Sequence, residues 1–242
     1  DLLYHSGNGS ITIKRSRFEG NAGNQVKTKG NALIENSLII GNCAYFANSP
    51  MTWNTSTFNN CRAGGDTIAL ALGNGSRIDI RNSTVTSNGN VMVLSAGSTC
   101  NGSEQIVSRN NVFVGGIEYH DGQDKSALYY ASGAGGNGDG ACGGIGFNDD
   151  YSVIYNTKHG LSDCNNRPHS RCEDPKLMTS WLSYYTGNAF DANLQSISPA
   201  RNAASILTGV SPLDFNFYDR GTAWDSGALE FGSVASGGGG NP

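Results

Sequence analysis

Apolar and polar residues alternate in short blocks along much of the chain, and the blocks share one outline. It runs through GSITIKRSRFEGN (9–21), NALIENSLIIGN (31–42) and SRIDIRNSTVTSN (76–88). Ser16, Ser37, Ser56, Ser83 and Asn111 can be taken as one marker position. Three places earlier stand Ile13, Ile34, Trp53, Ile80 and Ser108, and five places earlier Ile11, Ala32, Met51, Ile78 and Ile106. Two places later come Phe18, Ile39, Phe58, Val85 and Phe113. Polar residues separate these positions, giving the period of two that sends alternate side chains to opposite faces of a strand.

The markers are 21, 19, 27 and 28 residues apart. A unit of that length cannot bury its own apolar face, so successive units must stack and share a core. Leucine-rich repeats would show Leu-x-x-Leu-x-Leu spacing and a helical segment, and both are missing. Five places after the marker stand Asn21, Asn42, Cys61, Asn88 and Gly116, at turns where Asn and Gly tolerate positive φ. The pattern predicts an all-β solenoid, a parallel β-helix, with stacked asparagines able to form amide ladders at its corners. Loops such as SAGSTCNGSEQ (95–105) absorb the uneven spacing.

The repeat blocks resemble those of secreted right-handed parallel β-helix proteins, the superfamily that includes pectate lyase-like enzymes. Downstream, EDPKL (173–177), SPARNAA (198–204) and DSGALEF (225–231) resemble the closing segment of many bacterial extracellular β-helix proteins, where similar motifs occur in this order. The resemblance implies a right-handed β-helix over 1–157. A disulfide loop and a closing segment packed along the helix follow over 158–233, then a Gly-rich tail over 234–242. It implies fold and secretion far more specifically than activity.

Composition narrows the functional classes. Of 242 residues 15% are charged, with a net charge of −4, which argues against a nucleic-acid partner. The 34 glycines and 27 asparagines, with few helix formers, argue against a helical protein. No apolar run approaches the roughly 20 residues that span a bilayer; TIALALG (67–73) has strand length. The chain begins at Asp1 inside the repeat, so a signal peptide and an earlier domain are expected to precede it. Six cysteines without metal-ligand spacing predict disulfides and an extracellular or cell-surface location.

Cys43 and Cys61 follow their markers by six and five places, which puts them at one corner of adjacent coils, about 4.8 Å apart, within disulfide reach. Cys164 and Cys172 bracket a short loop and are expected to pair. That leaves Cys100 with Cys142, an assignment made only by elimination.

A pectate lyase-like site would need carboxylates to hold Ca²⁺ and an Arg or Lys to take a proton α to a carboxylate. The basic candidates are Lys14, Arg15, Lys27, Lys29, Arg62 and Arg77, and the acids Glu19, Glu35, Asp66 and Asp79. Arg62 and Asp66, in the Gly-rich bend NNCRAGGD, are the pair to test first. The plainer reading is a solvated outer face, because adjacent coils lack a matching acid cluster. Glu118, His120 and Asp121 could serve a metal or acid–base chemistry, though their setting after NVFVGG reads as a surface turn. FNDDYS (147–152) and KHG (158–160) resemble polygalacturonase-like motifs, yet Asp149 and Asp150 are neighbours on a strand and should face opposite ways. Tyr129, Tyr130, Trp181 and Tyr184 could stack on sugar rings, with core or lid packing as the competing use.

Two functions follow as expectations. One is an extracellular β-helix rod with a structural, adhesive or matrix role, able to self-associate end to end and requiring no cofactor. The other is a polysaccharide lyase or glycoside hydrolase working in the groove of the helix, Ca²⁺-dependent if a lyase. A non-catalytic carbohydrate-binding protein lies between them.

Overall fold

The computed structural model describes residues 1–19, 24–41, 66–73, 75–87, 89–95, 97–116, 125–131, 142–179 and 190–234. Within them the chain winds five times through three parallel sheets, one strand per sheet in each turn. The first coil holds β1 (Leu3–His5), β2 (Ser10–Lys14) and β3 (Arg17–Glu19). The second holds β4 (Val26–Lys29), β5 (Asn31–Glu35) and β6 (Leu38–Ile40), and the third β7 (Ile68–Ala71), β8 (Arg77–Arg81) and β9 (Thr84–Thr86). The fourth holds β10 (Met92–Leu94), β11 (Gln105–Arg109) and β12 (Val112–Val114), and the fifth β13 (Tyr129–Tyr130), β14 (Phe147–Asp150) and β15 (Val153–Tyr155). The fold is a parallel β-helix. We call the sheets A, B and C in the order the chain meets them.

The alternating pattern becomes columns of side chains in register. In sheet B, Ile11, Ala32, Ile78, Ile106 and Phe147 stack inward. In sheet C the inward column is Phe18, Ile39, Val85, Phe113 and Ile154. These columns form one core with the inward side of sheet A, where Val26, Ile68 and Met92 are fully buried.

One expected coil is not in the stack. β5 pairs directly with β8, and β6 with β9, so the coil carrying Ser37 lies against the coil carrying Ser83. Ser56 therefore does not mark a coil between them, and the equivalent position after Asn111 is Ser152. The argument for Cys43–Cys61 rested on that missing coil, and both cysteines lie outside the described residues. The other two disulfides are present. Cys100–Cys142 staples the loops of coils four and five with a Cα separation of 5.0 Å, and Cys164–Cys172 closes its loop at 5.9 Å.

The marker residues join the coils through a relay. The Ser16 backbone N–H donates to Ser37 Oγ at 3.2 Å, and the Ser37 N–H to Ser83 Oγ at 3.1 Å. The Ser83 N–H donates to Asn111 Oδ1 at 2.8 Å, the Asn111 N–H to Ser152 Oγ at 3.1 Å, and the Ser152 N–H to Ser170 Oγ at 3.1 Å. Each marker follows a corner residue at positive φ: Arg15, Asn36, Asn82, Asn110 or Tyr151. There the side-chain oxygens satisfy N–H groups that the strand ladders leave unpaired. The expected amide ladder is limited to one rung at this corner, Asn110 Nδ2 donating to Asn82 Oδ1 at 2.9 Å, while Asn36 Nδ2 turns to Leu213 O.

Ser170 belongs to a loop that covers the fifth coil. Residues Gly160–Cys164 form a 3-10 turn, and Arg171 then bridges Val153 as a parallel strand would. His169 stacks on Tyr151 with ring centroids 4.2 Å apart, and the Arg167 guanidinium lies 5.5 Å from the centre of Phe147.

The closing segment packs on the outer face of sheet C, where Leu38, Ile40, Val112, Val114 and Val153 meet Leu177, Phe190, Leu194, Ala200 and Leu229 in a second core. It is fastened coil by coil. Ser226 Oγ donates to Tyr151 O at 2.8 Å, the Gly227 N–H to Asn110 O at 2.8 Å, and the Ala228 N–H to Thr84 Oγ1 at 3.1 Å. Leu213 O accepts from Asn36 Nδ2 at 3.0 Å, and Asp214 O from Arg15 Nε at 3.0 Å.

Candidate functional site

The outer face of sheet B carries a row of paired charges. Along β8, Arg77, Asp79 and Arg81 point outward, because the residues between them point in. Arg77 forks onto Asp79 with two bonds of 2.8 Å and donates to Gln105 Oε1 at 2.6 Å. Arg81 Nε donates to Glu35 Oε2 at 2.8 Å, and Lys14 Nζ lies 3.3 Å from the other Glu35 oxygen. Glu35 is fully buried beneath these two cations, as a desolvated carboxylate requires.

Arg109 stands in register with Arg81 on the next coil, so two guanidinium groups occupy neighbouring rungs. Arg109 donates to the carbonyls of Ser108 and Asn148 at 2.6 and 2.9 Å and to Asn148 Oδ1 at 3.1 Å, all neutral acceptors. Like charges directly opposed on a sheet are destabilising. A groove of about 190 Å³ runs between this row and the Leu207–Thr208 loop.

Most sequence candidates have other work. Asp66 is buried, its Oδ1 accepting the Asn90 N–H at 2.8 Å, so it pins two coils at a corner. Arg15 holds the closing segment through Asp214 O and Ser211 Oγ, with its guanidinium 4.9 Å from the centre of Phe217. Glu19 binds Arg17 and accepts the Phe190 N–H at 3.3 Å, while Lys27 lies over Tyr4. Tyr129 sits in the inward column of sheet A against Phe147, and burial pushes its hydroxyl pKa up to about 12. Tyr130 is half-buried on the outer side of the same strand. Arg62, Glu118, His120, Asp121, Trp181 and Tyr184 lie outside the described residues. Among the described residues no three of His, Cys, Asp and Glu are gathered as a metal site, and no helix is long and apolar enough to cross a membrane.

Asp149 and Asp150 do face opposite ways. Asp150 is on the surface, 2.8 Å from His169 Nδ1. Asp149 replaces the isoleucines of earlier coils in the inward column and is buried under the cap loop. Ser152 Oγ donates to it at 2.7 Å and Ser170 Oγ at 3.2 Å. Burial raises its pKa, against the pull of these hydroxyls, Ser108 and Arg167.

The closing motifs build a second buried charge cluster. Arg220 donates to Glu230 Oε1 at 2.5 Å, to Asn36 Oδ1 at 3.1 Å, and to the carbonyls of Asp225 and Gly227 at 3.0 Å. Asp225 accepts the N–H groups of Asn202 and Phe231, and Asp214 those of Asn216, Tyr218 and Glu230. Ser198 Oγ reaches Pro175 O, which joins the first motif to the second. These carboxylates are buried within the segment they organise, and their role is structural.

Burial pushes the Glu230 carboxyl up to about 7 from its ordinary 4.5, against the pull of Arg220. The folded protein therefore holds a proton that the unfolded chain has released, and stability falls as pH rises from about 4.5 through 7. Asp149, also raised, acts in the same direction. The lowered groups Asp150 and Glu104 contribute stability that is lost only in acid, as pH falls through their depressed values. Thermal unfolding followed by circular dichroism should give a higher Tm at pH 5 than at pH 7.5, with a smaller difference in Glu230→Gln. A Glu230→Gln profile parallel to the parent would remove Glu230 from this account.

Sequence reasoning passed over Arg81 and Arg109. The signal was present, since each stands two residues before its marker, and aligning the markers stacks the two arginines.

In comparison with known proteins, the chain matches no family model, no curated protein and no solved structure.

Proposed function

We propose that the protein is an extracellular or cell-surface β-helix scaffold with a structural, adhesive or matrix role. The observation that carries this reading is the use made of its polar side chains. Arg15, Arg17, Arg220 and the serine–asparagine relay tie coils to one another and to the closing segment. The two disulfides suit an oxidising compartment. Resemblance to secreted right-handed β-helix proteins of the pectate lyase-like superfamily extends the reading to secretion.

End-to-end stacking belongs to the proposal. The three sheets grow by adding parallel strands in register, a pairing that a second copy of the chain would continue. Unpaired strand edges are templates for further strands. Negative-stain electron microscopy of the non-reduced protein should reveal rods that lengthen with concentration. Discrete short rods at every concentration, together with release of unsaturated uronates or reducing ends from a polysaccharide, would replace this reading with an enzymatic one.

The Arg81–Arg109 pair favours a second reading, non-catalytic binding of an acidic polysaccharide along sheet B. A lyase acting there would add Ca²⁺ as a cofactor. Arg109→Ala should then abolish retention on immobilised polygalacturonate; unchanged retention would exclude the groove.

A further inference from the structure

Independently of the scaffold reading, we infer that the cleft between sheet C and the closing segment is a binding site for a neutral oligosaccharide. The cleft encloses about 510 Å³ on the side of the helix carrying sheet C. Its apolar floor is formed by Val114, Leu177 and Phe190, all buried. Tyr155, the outward residue ending β15, stands at the wall with 38% of its surface exposed. The polar part of the lining includes Asp174, Lys176 and Gln195.

Their arrangement is specific. Lys176 Nζ donates to Asp174 Oδ2 at 2.8 Å, while its backbone N–H donates to Asp174 Oδ1 at 2.9 Å. That double hold bends Lys176 to a φ of 51°, a strained conformation for lysine and an easy one for glycine. An exposed ion pair adds little stability in return. Positive φ recurs at nine other non-glycine residues among those described, so it is the pair's place beside a concave apolar surface that points to recognition. Gln195 is fixed by its Nε2 bond to Leu177 O at 2.8 Å. Its carbonyl supplies another acceptor chemistry to the lining.

The ligand class follows from charge and shape. The lining cation and anion are 2.8 Å apart and cancel, so the cleft does not select for a charged chain. A carboxylate against a lysine ammonium offers an acceptor beside a donor, the complement of adjacent sugar hydroxyls, which donate to one and accept from the other. The exposed Tyr155 ring supplies an apolar face for the C–H side of a pyranose. Clefts of roughly 300–1,000 Å³ hold ligands of drug size, here about two or three sugar rings.

The test uses the whole protein with cellohexaose, mannohexaose and xylohexaose, and hexagalacturonate as the acidic control, in isothermal titration calorimetry. We expect at least one neutral hexaose to bind, and Tyr155→Ala to weaken it by about tenfold or more. Lys176→Gly removes the ammonium while relieving the backbone, so it should weaken binding similarly with a Tm at or above the parent's. Absence of binding to all three neutral hexaoses overturns the inference. So does binding that both variants retain in full, or hexagalacturonate as the tightest ligand when Tyr155→Ala weakens it and Arg109→Ala does not.

Discussion

Arg220→Met lowers the unfolding temperature by roughly 6–20 °C, as expected from the about 3–5 kcal/mol lost when one partner of a buried ion pair is removed from a domain of this size. Arg220 is buried, and four groups depend on its guanidinium: Glu230, Asn36 Oδ1, and the carbonyls of Asp225 and Gly227. Methionine fills much of the volume and satisfies none of them. The cost is chiefly the buried acceptors left without a donor and, above pH 7 where Glu230 is ionised, a carboxylate without a counter-charge, so Arg220→Met/Glu230→Gln should recover part of the loss there. Differential scanning calorimetry decides it. A fall of less than about 2 °C for the single variant, below about one kcal/mol on the same scale, would mean that water replaces the guanidinium and that the cluster is not sealed.

Gly227→Ala should be nearly as damaging, for reasons of space and backbone. Gly227 has φ 103°, which side chains with a Cβ rarely adopt. A Cβ there would lie 2.9 Å from Thr84 Oγ1 and 3.0 Å from Val112 Cγ2, between two coils of sheet C. Conformational strain of about 1–2 kcal/mol and overpacking of about 1–3 kcal/mol add, because neither relieves the other. Gly221 offers the control: its φ of 62° is strained for alanine, yet nothing stands within 4 Å of the added methyl. Gly221→Ala should therefore cost only the conformational share. Equal melting temperatures for the two variants would show that sheet C yields to the methyl.

Where one residue decided one position, the sequence was readable. Ile11, Ile13 and Phe18 recur at fixed offsets from Ser16, and the structure stacks them as columns because β pairing carries the offset unchanged from coil to coil. Ser56 misled because its neighbours Trp53 and Phe58 match the offsets, while membership of the stack depends on which strands pair, and β5 pairs with β8. Ser152 escaped notice because Asp149, a charged residue, stands three places earlier in the column that runs from isoleucine to Ser108. The corner serines were recognisable as markers, but their purpose was not. Donation from one coil's N–H to the next coil's hydroxyl is a contact across 21 to 46 residues and has no local signature. The cleft was still less legible, since Tyr155 and Lys176 belong to different motifs and meet only through the closing segment.

The consecutive residues Ser226, Gly227 and Ala228 each touch a different layer, at Tyr151, Asn110 and Thr84. Together with Leu213 at Asn36 and Asp214 at Arg15, they make a gauge with one tooth per layer. Solenoids commonly lengthen by duplicating a unit, since each unit contacts only its neighbours. Here a duplicated layer would displace every tooth beyond it by about 4.8 Å. Insertion of a layer among these five is thus opposed by the closing segment, and such growth requires both parts to change together.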